Sequence, residues 1–265
     1  MLQPVKSGID LIREIDQTIS LTPTLWWLGH AGFVVRFATV TFYIDPCFSD
    51  LEGRPRLMAA PLTGDLVRHA DMILVTHAHP GHLDPGTILP MLEASKRAKV
   101  LVPRRIASEV SAAGIPLDRT SPTDANLRVE YFQDNLYGRI YAVPSAHPTI
   151  EQSPTAGHAC LGYIIRFGRW NIYHAGDCCP YPGLADRLRP YNINVALLPV
   201  GGKNFSVNQA AQLAADIGAT WIIPMHYGTF EEDRESVFVT HMLGHRPEQR
   251  FRTLQCGQKW ALPED

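Results

Sequence analysis

The chain lacks a long apolar run. No window approaches the roughly 20 consecutive apolar residues that a membrane-spanning helix needs, so a membrane-embedded role is not expected. It also lacks an excess of charge of one sign: 24 Lys and Arg stand against 26 Asp and Glu, for a formal net charge of -2. Without a basic stripe, neither nucleic-acid binding nor a polybasic membrane anchor is expected. Cysteine is sparse and odd in number, five in all with Cys178 and Cys179 adjacent, which is unlike a secreted disulfide framework. The stretch from Met1 to Ile19 carries Asp10, Arg13, Glu14 and Asp16, so it has no continuous apolar core of the signal-peptide kind. These readings point to a cytoplasmic protein. With 45% hydrophobic residues in 265, the chain can bury one full core, and a single domain over 1–265 is expected. There is no internal repeat and no low-complexity segment.

What is present is histidine, concentrated. Thr76-His77-Ala78-His79-Pro80-Gly81-His82-Leu83-Asp84 puts three imidazoles and an acid into one short stretch. Downstream follow Ser145-Ala146-His147, His174-Ala175-Gly176-Asp177 and Pro224-Met225-His226-Tyr227. A lone histidine is usually a packed or surface residue, but three so close together after an apolar strand have little packing rationale. Imidazole and carboxylate at this density suit a borderline metal such as Zn²⁺.

The hydrophobic pattern places these residues. Ile9, Ile12, Ile15 and Ile19 predict a helix over Gly8 to Ile19. Leu25 to Leu28, Phe33 to Phe37 and Val40 to Ile44 read as a meander of strands, and Met72 to Val75 is a strand feeding the histidine loop. Helices are expected over Thr87 to Ala94 and Arg104 to Ala113, with a strand over Lys99 to Val102 between them. Ile115 to Asn126, rich in Pro, Ser, Thr and Asp, reads as a surface connection. Strands follow at Leu127 to Phe132, Arg139 to Val143, Cys160 to Phe167, Trp170 to His174, Asn194 to Pro199 and Thr220 to Ile223. Ser206 and Gln209 form a capping-box pattern for a helix that Gly218 ends. His77, His147, Asp177 and His226 thus all lie just past strand ends, where a packed sheet can hold loops at one rim.

These residues resemble the metallo-β-lactamase fold superfamily, whose signature is His-x-His-x-Asp-His, then an isolated His, an Asp after a glycine, and a last His. The resemblance runs over nearly the whole chain, because Trp27-Leu28-Gly29-His30-Ala31-Gly32-Phe33 and Ile44-Asp45-Pro46 also fall in order. Within the superfamily the chain looks most like the ascorbate-6-phosphate lactonase-like metal-dependent hydrolases, through His174-Ala175-Gly176-Asp177, Ala196-Leu197-Leu198-Pro199 and Pro224-Met225-His226-Tyr227-Gly228-Thr229. The resemblance implies a four-layer αββα sandwich with the metals at one edge of the two sheets. Carried over by position, His77, His79 and His147 would hold a first metal and His82 and His226 a second, with Asp177 bridging them. Zn²⁺, as one or two ions, is the expected cofactor, with Mn²⁺ or Fe²⁺ as alternatives. The chain departs from the pattern at Gly81, where the family has the acid that binds the second metal and orients the attacking water. His82, Asp177 and His226 would remain, with Asp84 or His30 as reserve ligands. Asp45 is expected to orient a ligand imidazole by accepting its remaining N–H.

Elsewhere the plainer readings stand beside the functional ones. His174 is expected to pack or to support a ligand. His30 reads either as such a support or as a substrate contact, and His158 is open. His69, His241 and His245 receive no role. Cys178 and Cys179 read as small packed residues, and Trp26, Trp27, Trp170, Trp221 and Trp260 as core or strand-face packing. Lys203 reads as solvated, with contact to an anionic substrate as the alternative.

The expected reaction is hydrolysis of an ester-like bond by a metal-held hydroxide, with a lactone as first candidate and a phosphodiester as second. Asp177 would hold the attacking group, His226 would stabilise the oxyanion and Tyr227 would assist. A small molecule, either anionic or neutral, is the expected partner, and a homo-oligomer is compatible with the sequence. Two rival readings are an iron-dependent thiol or persulfide oxidoreductase of the same fold, and a metal-binding protein that has lost turnover at Gly81.

Overall fold

The structure is a computed structural model, described over residues 1–231 and 250–264. His241 and His245 lie outside the described residues. In chain order the elements begin α1 (Gly8–Gln17), β1 (Thr24–Gly29), β2 (Gly32–Phe37), β3 (Val40–Ile44) and β4 (Met72–Leu74). Next come α2 (Pro85–Ala94), β5 (Lys99–Pro103), α3 (Ala107–Ala112), β6 (Thr120–Thr123), β7 (Arg128–Gln133) and β8 (Leu136–Pro144). A short hairpin, β9 (Gln152–Ser153) and β10 (Gly157–His158), precedes β11 (Leu161–Phe167), β12 (Trp170–His174), α4 (Leu184–Leu188) and β13 (Val195–Pro199). The chain continues with α5 (Val207–Asp216), β14 (Trp221–Met225), β15 (Arg250–Phe251) and β16 (Lys259–Ala261). No helix among the described residues is long and apolar enough to cross a membrane.

The strands form two large sheets, ordered β16-β1-β2-β3-β4-β5-β6 and β15-β14-β13-β12-β11-β8-β7. Alternation along each strand explains why they stack. In β1, Leu25 and Trp27 belong to the core shared with the second sheet, while Trp26 and Leu28 pack with Leu11 and Ile15 of α1. In β3 and β5 the pattern repeats: Phe42, Ile44 and Leu101 face inward, whereas Tyr43, Val100 and Val102 join Ile88, Met91 and Val110 of the outer helices. On the other side, Ala210, Leu213 and Ala214 of α5 and Leu184 and Leu188 of α4 cover the second sheet. The result is the four-layer αββα sandwich. Each layer buries one apolar face per element, which is the dominant source of its stability.

Several elements depart from the sequence reading. The segment Ile115 to Asn126 is not only a connection, because Thr120–Thr123 pairs in parallel with β5 and forms the sheet edge. An edge strand tolerates Pro122, and its turn-like composition hid it. The helix expected over Arg104 to Ala113 opens with a 3-10 turn at Arg104–Ile106 before α3. In α1 the buried residues are Leu11 and Ile15, four apart on one face, while Ile9 and Ile19 are exposed. The strand Lys259–Ala261, unsignalled in the sequence, pairs antiparallel with β1. The Ser206 capping box is present: Ser206 N–H donates to Gln209 Oε1 at 2.8 Å and Gln209 N–H to Ser206 Oγ at 3.3 Å.

Parallel pairing is what brings the site residues together. β12, β13 and β14 run parallel in the second sheet, and β3, β4 and β5 in the first, so within each set the C-terminal ends share an edge. His174 ties the two sheets at that edge. Its Nδ1 accepts from Gly176 N–H at 3.1 Å, which leaves Nε2–H to donate to Ala31 O at 2.8 Å. Burial lowers its pKa and keeps it neutral, the state this pair of bonds requires.

Candidate metal centre

Each histidine reaches the edge on a different device. β4 delivers Thr76 and His77, and the turn at Pro80 and Gly81 folds His82 back under His77, with ring centroids 4.0 Å apart. His79 and His147, the latter three residues beyond β8, close one side, with centroid separations of 4.7 Å for His77–His79 and 5.1 Å for His79–His147. His226 follows β14 with φ 64°, and His30 follows β1 with φ 49°. Left-handed backbone at two non-glycine residues is a strain that the surrounding structure has to hold. His226 N–H donates to His30 O at 2.9 Å, binding the two turns to each other.

Asp177 stands at the centre. Its Oδ2 faces one group, 3.8 Å from His77 Nε2 and 3.4 Å from His147 Nε2. Its Oδ1 faces the other, 3.4 Å from His82 Nε2 and 3.2 Å from His226 Nε2. Gly176 makes this approach feasible, since a Cβ there would lie 2.9 Å from Thr76 Cβ. Burial alone would raise the Asp177 pKa, but His82 and His226 hold it well below the usual carboxylate range.

The groups are oriented from behind. Asp45, fully buried at the end of β3 with φ 43°, accepts from Thr76 N–H at 2.8 Å and Thr76 Oγ–H at 2.7 Å, and its Oδ2 is 2.7 Å from His82 Nδ1. Burial disfavours charge on His82, yet Asp177 and Asp45 on either side raise its pKa to about 10. The other rings behave oppositely. Burial, followed by neighbouring imidazoles, keeps His77 and His30 well below the ordinary histidine value, so they are neutral.

The donor set fits divalent metal. Among the described residues, three sets have ligand atoms within 4.8 Å of one another: His77, His79 and His147; His77, His82 and Asp177; and His30, His82 and His226. That is close enough for small side-chain shifts to bring each set onto a shared Zn²⁺ with bonds of about 2.0–2.1 Å. His77 makes the case most directly. Its Nδ1 is 3.0 Å from Thr76 Oγ, while its Nε2 is buried and has no hydrogen-bond partner among the described residues. A neutral imidazole whose second nitrogen is fixed from behind presents the first to an ion.

A pocket of about 460 Å³ opens over these residues, lined by His30, His79, His82, His147, Asp177 and His226 and rimmed by Arg54 and Lys203. Arg54 is held by stacking on the Phe230 ring, 4.5 Å from its centroid, and by donating to Pro80 O at 3.0 Å.

Residues 41–227 match the beta-lactamase superfamily domain. The chain belongs to the beta-lactamase superfamily. It is 34% identical over 207 residues to a protein named as a metal-dependent hydrolase from Pyrococcus furiosus, covering 77% of this chain and 84% of that one. It is 32% identical to a protein of the same name from Methanopyrus kandleri, over 79% of this chain and 87% of that one. In fold it is similar to Igni18, a metallo hydrolase from Ignicoccus hospitalis, with a TM-score of 0.72 and 21% identity over 92% of this chain and 100% of that one.

In this superfamily chain, His77, His79, His82, His147, Asp177 and His226 meet at one edge, as does His30. Two residues from the sequence reading do not. Asp84 is no reserve ligand: its Oδ2 accepts from Ser49 N–H at 3.1 Å and from Thr87 Oγ–H at 2.6 Å, which pins the start of α2. Tyr227 does not face the pocket. Its ring stacks on Trp27 at 5.0 Å and its hydroxyl donates to Leu254 O at 3.3 Å, while burial raises its pKa. His158 lies elsewhere, with Nδ1 2.8 Å from Asp124 Oδ1. His69, 2.8 Å from Tyr43 Oη, is likewise remote from the cluster. Cys178 is buried and Cys179 half-buried, both as free thiols. The sequence reading missed Arg54, which sits in an irregular loop without periodicity, and Thr76, whose hydroxyl links Asp45 to His77.

Proposed function

We propose that this superfamily member is a metal-dependent hydrolase of ester-like bonds in small anionic substrates, of the lactonase-like kind, with a lactone as first candidate and a phosphodiester as second. The observation that carries this reading is Asp177: one carboxylate oxygen faces His77 and His147 and the other faces His82 and His226, on the floor of an open pocket. The names of the Pyrococcus and Methanopyrus relatives support the same class.

His77, His79 and His147 would hold one ion, His82 and His226 a second, with Asp177 between. A divalent ion bound there lowers the pKa of water from about 15.7 to about 7 and draws charge from the oxygen of the scissile bond. The chain's own residues do the rest. Asp177, ionised throughout the neutral range, accepts a hydrogen bond from the attacking water and fixes its direction. His226, 3.2 Å from Asp177 Oδ1, and His82 fix the direction of that carboxylate from the side of the second ion. Arg54 and Lys203 at the rim supply positive charge for an anionic group away from the reacting bond.

Replacing His77 and His79 together with alanine tests the reading. Bound metal and turnover of a lactone and phosphodiester panel are both expected to disappear; turnover retained by the double variant would overturn the assignment.

A further inference from the structure

We infer that His30 takes the place of the acid missing at position 81, completing a second metal site built from His30, His82, His226 and Asp177. The inference rests on the metal-dependent reading above and adds to it the identity of a ligand.

Two independent observations carry it. The first is a matter of space. Gly81 has φ +100°, and a Cβ built there would lie 3.2 Å from Arg54 Nη1 and 3.4 Å from His30 Cε1. A side chain at position 81 would therefore start in van der Waals contact with the His30 imidazole and press on Arg54, so the two positions border the same space. The second is a matter of donors. His30, His82 and His226 bring ligand nitrogens within 4.8 Å of one another, and the His30 ring lies 4.0 Å from that of His226 and 5.0 Å from that of His82. His30 is 2% exposed, so its ring is held inside this cluster rather than in solvent.

The backbone is arranged for this placement. His30 holds φ 49° in the turn between β1 and β2, a conformation that glycine or asparagine would adopt at less cost. His30 O accepts from Trp27 Nε1–H at 3.0 Å and from His226 N–H at 2.9 Å, so the turn carrying one ligand is bonded to the turn carrying another. Arg54 Nη2 stands 3.4 Å from His30 Nε2, a long contact that a metal bond would outweigh. Exchanging a carboxylate for a neutral imidazole leaves the centre one unit more positive, which suits an anionic substrate and the cation at its rim.

The decisive experiment is zinc anomalous diffraction from crystals of the unaltered chain loaded with Zn²⁺. Zinc is expected about 2.0–2.1 Å from a His30 nitrogen, with a separate zinc at His77, His79 and His147. Zinc on His82, Asp177 and His226 with His30 still against Arg54, or zinc at the His77 set alone, would overturn the inference while leaving the hydrolase reading intact. No zinc at either set would remove both.

Elemental analysis of variants checks the same point in solution. His30→Ala should fall from about two zinc ions per chain to about one, and His30→Ala combined with Gly81→Asp should regain the second. Gly81→Asp alone should melt at a lower temperature than the double variant, because its side chain meets His30. Two ions retained by folded His30→Ala would overturn the inference.

Discussion

His82 Nδ1 lies 2.7 Å from Asp45 Oδ2, and that carboxylate, fully buried, also takes both the backbone and the hydroxyl of Thr76. One acid thus orients the His82 ring and fixes the residue that backs His77. Asp45→Asn keeps the shape but offers one acceptor oxygen in place of two. It is expected to weaken metal binding about 10- to 100-fold, read by competition against a chelator. Unchanged affinity would reduce Asp45 to a structural acid.

The position of His82 also predicts a pH dependence. Burial opposes its charge, but Asp177 and Asp45 keep the ring protonated up to about pH 10 in the metal-free chain. With the pKa raised on folding, the stabilisation is fully present below the ordinary value of 6.5 and is lost as pH rises through about 10. An ion on this ring must displace that proton. Filling the second site near pH 7.5 should therefore release about one proton from His82, measured by zinc titration in weakly buffered solution. Binding without proton release would contradict the protonated ring.

Tyr227→Phe is expected to leave kcat close to that of the unaltered chain, because the hydroxyl it removes is engaged with Leu254 O outside the pocket. The cost is the bond itself, about 0.5–1.5 kcal/mol of stability, read by urea denaturation. A hundredfold loss of kcat in folded protein would return the phenol to the reaction.

Arg54 and Lys203 set the substrate preference in the proposed reaction. Arg54→Ala and Lys203→Ala should each raise KM for an anionic lactone about tenfold, the equivalent of roughly 1.4 kcal/mol of charge-assisted contact, while leaving a neutral lactone unaffected. Equal losses on both substrates would argue that these residues act on the fold or the metals instead.

Much of this architecture was legible in the chain because it is written locally. Alternating apolar residues in Val40–Ile44, the capping box at Ser206 and Gln209, and the histidines packed between residues 77 and 82 each lie within a few positions of one another. His147, Asp177 and His226 lie behind three strand ends, and their order resembles that of the superfamily, which implied their meeting. Features that lacked a local signal were missed or misassigned. Thr120–Thr123 pairs only because β5 offers an open edge, and Arg54 reaches the pocket rim from an irregular loop held by Phe230.

The sequence by itself determined most of the strand ends and the residue types at the candidate metal centre, since periodicity and short-range motif are properties of the chain alone, while the layers were implied by its resemblance to the superfamily. Only the tertiary structure decided which side chains point at one another. It turned Asp84 towards Ser49, drew Tyr227 onto Trp27 and placed His30 in the space beside Gly81. Those choices depend on how two sheets stack and which loops meet at their edge, and side-chain direction there is set by neighbours tens to hundreds of positions away.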